Sequence, residues 1–102
     1  MYKRTILLTN KEGLDEQLAI DFINKASEFE SRIRVKAANG DEDANAKSII
    51  MVTGLELENG REIELNAVGE DEIAAVDALA DLIEFYSTHS NRERVQKDTA
   101  IV

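Results

Sequence analysis

A chain of 102 residues has room for one hydrophobic core and is too short for two, and at 43% hydrophobic and 32% charged residues it is not wholly disordered. Its 21 acidic against 12 basic residues give a net charge of -9, which repels phosphate backbones and anionic lipid and excludes nucleic acid and membranes as expected partners. With no cysteine and a single histidine, His89, no disulfide, thiolate site or multi-histidine metal site can form, and neither a metal nor a cofactor is expected.

Residues Arg4 to Thr9 combine β-branched and aliphatic side chains and predict a first strand, closed by the polar turn Asn10-Lys11-Glu12-Gly13. Its apolar run, Ile6 to Leu8, is far shorter than a signal peptide requires, and no later run approaches membrane-spanning length. A cytoplasmic protein is the expectation. From Glu16 to Phe29, apolar residues at Leu18, Ala19, Phe22, Ile23, Ala26 and Phe29 have helical spacing. Asp15 stands just before, as a residue type whose carboxylate accepts the orphan amides of a first turn.

In Arg32-Ile33-Arg34-Val35-Lys36-Ala37, basic and apolar residues alternate, which predicts a strand with one wet face. Asn39-Gly40 then favours a hairpin, with the stretch to Ala46 as partner strand. Ser48 to Leu55 reads as a helix of two turns opened by a capping serine. After a second Asn-Gly pair, Asn59-Gly60, Ile63, Leu65 and Ala67 share one face of a fourth strand over 62–68. Glu70-Asp71-Glu72 opens the longest helix, over 70–87, whose dipole the three acids complement. Ile73, Val76, Leu79, Ala80, Ile83 and Tyr86 form its apolar stripe.

Beyond residue 87 the apolar pattern gives out. Residues 88–102 carry three cations and two carboxylates, net +1, which leaves -10 on residues 1–87. The expected division is a domain over 1–87 and a polar C-terminal tail over 88–102. The tail either frays or folds back on the acidic body. The element order predicts an α+β fold: a four-stranded antiparallel sheet with two long helices and one short helix on one face.

Three strings go beyond architecture. Thr9-Asn10-Lys11-Glu12-Gly13-Leu14 resembles the stretch leading into the phosphorylatable histidine of the HPr phosphocarrier family, part of the bacterial sugar phosphotransferase system. Asn45-Ala46-Lys47-Ser48-Ile49 resembles that family's regulatory serine segment, and Gly69-Glu70-Asp71-Glu72 its entry into the last helix. The resemblance runs over roughly residues 3 to 86 and implies the family's open-faced sandwich. Where the family usually has Gly-Leu-His-Ala-Arg-Pro-Ala, this chain reads Gly13-Leu14-Asp15-Glu16-Gln17-Leu18-Ala19. Asp15 stands at the histidine position and Gln17 at the arginine position.

A carrier needs a nucleophile that accepts and releases a phosphoryl group, helix-terminal amides, and a cation to balance the arriving charge. Here only the helix start is kept, and Glu12 and Glu16 oppose a phosphoryl dianion. Asp15 admits three readings: a plain N-cap contributing about 1 kcal/mol, a permanent partial mimic of phosphohistidine, or an acyl-phosphate acceptor. Ser48 admits two. The resemblance implies that an ATP-dependent kinase phosphorylates it, and the residue type implies a helix cap.

Ile49, Ile50 and Val52 are too many apolar residues for a two-turn helix to bury on one face. In the family this helix and the start of the first long one form the partner-docking surface, which implies docking through Asp15, Glu16, Gln17, Ile49, Ile50 and Val52. The expected function is an HPr-like regulatory or protein-binding protein, not an enzyme and not competent for phosphohistidine transfer, switched at Ser48. It is similar in kind to the Crh paralogue of bacilli, which also lacks the histidine and keeps the serine. Its expected partners are other proteins, a serine kinase or a transcriptional regulator. The alternatives are a phosphoryl carrier acting through Asp15 and a bare binding module without phosphorylation.

Overall fold

Alternation along the strands decides which side of the sheet is dry. The computed structural model describes residues 1–9 and 11–101, with the backbone alone from residue 88 onward; Asn10, in the first turn, lies outside the described residues. The elements are β1 (Tyr2–Leu7), α1 (Glu16–Ala26), β2 (Arg32–Ala37), β3 (Asp43–Asn45), α2 (Ile49–Gly54), β4 (Glu62–Val68) and α3 (Glu72–Ile101). The strands form one antiparallel sheet in the order β1-β4-β2-β3. Tyr2 lies opposite Ala67, Val35 opposite Leu65, and Lys36 opposite Asp43.

Ile33 and Val35 of β2, Ala44 of β3, and Ile63, Leu65 and Ala67 of β4 all point to one buried face. Over them pack Leu18, Ala19, Phe22 and Ala26 of α1, Val52 of α2, and Ala75, Val76, Leu79, Ala80 and Ile83 of α3. Ile23 joins this layer partly buried. The architecture is the α+β open-faced sandwich expected from the element order: a four-stranded antiparallel sheet with three helices on one face.

The first strand sits two residues earlier than its composition suggests. Tyr2, Arg4 and Ile6 are its half-buried positions. Arg4 is tolerated there because its guanidinium pairs with Asp77 of α3 at 3.0 Å, and the Tyr2 hydroxyl donates to the same carboxylate at 3.2 Å. The first helix also ends earlier, at Ala26. Ser27 donates its hydroxyl to the Ile23 carbonyl, and Glu28 and Phe29 continue in a tighter turn, so Phe29 still reaches the core.

Ile73 does not belong to the stripe of α3. It is exposed in the first turn, and Ala75 takes the buried position. The acids before α3 do more than complement its dipole. Asp71 accepts the backbone amides of Glu30 and Ser31 at 2.8 and 2.9 Å and the Ser31 hydroxyl, tying the start of α3 to the start of β2. Glu72 accepts the Gly69 amide at 3.1 Å and pairs with the N-terminal ammonium at 3.0 Å. The backbone of α3 runs on to Ile101. The stretch expected to fray or fold back therefore continues the last helix as backbone, while its side chains, His89 among them, lie outside the described residues. Among the described residues, no helix is long and apolar enough to cross a membrane.

Candidate functional site

The loop between β1 and α1 is pinned before the helix begins. Gly13 has φ +66°, and a Cβ there would lie 2.7 Å from the Leu57 carbonyl oxygen, so any side chain would collide with the backbone after α2. Leu14 donates its amide to that same carbonyl at 3.0 Å. Asp15 follows in an extended conformation, and its carboxylate accepts the Leu18 amide at 2.9 Å. This is the N-cap geometry expected of the residue type. Asp15 is half-buried, whereas Glu16 and Gln17 are exposed.

Gln17 is turned along the helix surface. Its amide donates to Asp21 at 3.3 Å, and the other oxygen of Asp21 accepts the Tyr86 hydroxyl from α3. Burial, followed by that bond to Asp21, pushes the Tyr86 hydroxyl up to about 12. This network links α1 to α3 one turn beyond Asp15. The sequence stripe placed Tyr86 on the buried face and gave no sign of its partner, because Asp21 precedes it by 65 residues.

The second segment is held from behind. The Asn45 side chain accepts the Lys47 amide at 3.0 Å, and the Asn45 carbonyl accepts the Ser48 amide at 3.0 Å. Lys47 reaches across to donate its ammonium to the Phe29 carbonyl at 2.6 Å, beyond the C-terminal end of α1. Ser48 is the N-cap of α2, accepting the Met51 amide at 3.4 Å, and it is half-buried.

Helix α2 turns only one apolar side chain inward, and that residue corrects the expected docking set. Val52 is fully buried in the core, so it cannot touch a partner. Ile49 and Ile50 are exposed as expected, at 40% and 80%, and Met51 joins them at 42%. Ile20 on α1, the helix against which α2 packs, adds a further exposed isoleucine. Its signal in the sequence was its position off the helical stripe. Among the described residues, no cluster of three or more carboxylate or histidine side chains could hold a metal ion.

A family model described as the PTS HPr component phosphorylation site matches residues 2–84. The chain belongs to the HPr family. Among its relatives, the phosphocarrier protein HPr of Neisseria meningitidis is 38% identical over 86 residues, which span 84% of this chain and 94% of that protein. In structure it is similar to HPr-C-His of Thermoanaerobacter tengcongensis, with a TM-score of 0.79 and 40% identity over 86% of this chain and 97% of the other. It is also similar to Crh of Bacillus subtilis, with a TM-score of 0.64 and 30% identity over 84% and 97% of the two chains. HPr proteins are carriers rather than enzymes, and they act by contact with other proteins of the phosphotransferase system. The HPr-matched residues of this chain contain no histidine, since His89 lies beyond them.

Proposed function

We propose that this HPr-family protein is a regulatory, protein-binding member that does not transfer phosphate through histidine and is switched by phosphorylation at Ser48. The observation that carries the reading is at the start of α1. The residue in the family's histidine position is Asp15, and its carboxylate is committed to the Leu18 amide as a cap. The neighbouring groups point the same way. Glu12 and Glu16 are exposed carboxylates, and Gln17 supplies no charge to balance a phosphoryl group.

Docking residues remain available for partners. Asp15, Glu16 and Gln17 on α1 and Ile49 and Ile50 on α2 are the surface through which a serine kinase or a transcriptional regulator would bind. The similarity to Crh, described as the catabolite repression HPr of Bacillus subtilis, supports a regulatory role. A cytoplasmic setting accompanies that role.

Ser48 supports the switch by its place. Ser48 is only partly buried and stands before the first turn of α2, where amide hydrogens face an added phosphate. Phosphorylation adds about -1.5 to -2 charges beside Ile49 and Ile50, a local change on a body already strongly acidic. The test is intact mass after incubation with ATP and a serine kinase of the HPr type. The expected result is a gain of one phosphate in the wild type and none in Ser48→Ala. An unmodified wild type would contradict the switch and leave only the docking function.

A further inference from the structure

Residues around α2 combine two features that belong together only at a contact surface. Ile50 is 80% exposed, and Ile20, Ile49 and Met51 are each exposed to about two-fifths on two helices packed against each other. Single exposed apolar residues need no explanation, but four on adjoining helices form a patch of the kind that partners cover.

Acidic segments adjoin this patch: Glu12, Asp15 and Glu16 at the start of α1, and Glu56 and Glu58 after α2. The amide of Leu14 bonded to the carbonyl of Leu57 at 3.0 Å, together with the close approach of Gly13 to Glu58, brings the two segments side by side. Among the described residues, Glu12, Glu16, Glu56 and Glu58 form no ion pair. Residues 11–17 and 47–58 together carry these five carboxylates and two cations, Lys11 and Lys47, for a net charge of -3. Lys47 does little to offset these carboxylates, because its ammonium is bonded to Phe29 beyond the far end of α1.

A partner that covers the isoleucines must lay its own polar margin over these carboxylates. An acidic margin would bring like charges together during desolvation, whereas a basic one is drawn in and oriented. We propose that the surface formed by α1 and α2 docks a protein segment whose apolar side chains are flanked by lysine and arginine, as on a basic amphipathic helix. This rests on the docking function proposed above and adds the polarity of the partner.

The test uses the full, isotopically labelled chain and two synthetic helical peptides with the same leucine pattern, one with lysine and arginine on its flanks and one with glutamate. The basic peptide is expected to shift the backbone amides of residues 12–20 and 47–58, with binding that weakens as salt is raised. Ile50→Ser and the double change Glu12→Gln with Glu16→Gln should each weaken it by about tenfold. Glu70→Gln, before α3 at the opposite end of α1, should leave it unchanged. If the acidic peptide shifts the same amides as strongly, the proposed polarity is wrong while docking stands. If neither peptide shifts them, the docking function itself is overturned. If those amides move when the chain alone is diluted, a second copy covers the patch and the proposal is likewise overturned.

Discussion

Asp15 and Ser48 stand at the same kind of place, the residue before a helix, and hold their helices unequally. The carboxylate of Asp15 accepts its amide at 2.9 Å, whereas the Ser48 hydroxyl accepts at 3.4 Å. Asp15→Ala is therefore expected to lose about 1 kcal/mol of stability and Asp15→Asn little, since asparagine caps equally well. Ser48→Ala should lose less than Asp15→Ala; urea unfolding of the three variants measures the order. Asp71 makes a different prediction. The Ser31 hydroxyl, followed by the Glu30 amide, holds its carboxyl below the ordinary carboxylate range. A native pKa below the unfolded one stabilises the fold above that range, and the contribution is lost as pH falls through the native value. Asp71→Asn should be less stable near neutral pH and lose less on further acidification below about pH 4, as read from denaturant midpoints across pH.

At the scale of elements, what could be read from the sequence depended on whether a segment's partners were local. The alternation in β2 and β4 carried its own answer, because Ile33, Val35, Ile63 and Leu65 repeat with period two and all are buried. In β1 an arginine occupies an inward position, and the pattern makes sense only once Asp77, 73 residues away, is placed against it. Helix α2 is too short for periodicity to choose its inward residue, so the sequence groups Val52 with Ile49 and Ile50, whereas it faces the core. The distinction has a measurable consequence. Val52→Ala should cost about 2 kcal/mol by lost burial and the cavity left behind. Ile50→Ala should stay within about 0.5 kcal/mol, because its side chain is already in water. Denaturation of both variants checks which isoleucine or valine is structural and which is surface.

Across the whole molecule, the HPr sandwich is kept, and the proposed function rests on the replacement, at its helix start, of the groups that carry phosphate in the family. The sheet, the pinned loop at Gly13 and the packing of α1 against α2 and α3 hold the starts of α1 and α2 in fixed places. The family was legible from three short strings. The acidic margin contributed by Glu56 and Glu58 was not, because it is the Leu14 to Leu57 bond and the close approach of Gly13 to Glu58 that bring those residues beside the helix start. The account therefore turns on whether phosphate can reside at Asp15. The most direct measurement is the intact mass of the chain after incubation with phosphoenolpyruvate, magnesium and the general enzyme of the phosphotransferase system. The mass is expected to stay unchanged; a gain of one phosphate that hydroxylamine removes and Asp15→Asn abolishes would contradict the account and make the protein a carrier.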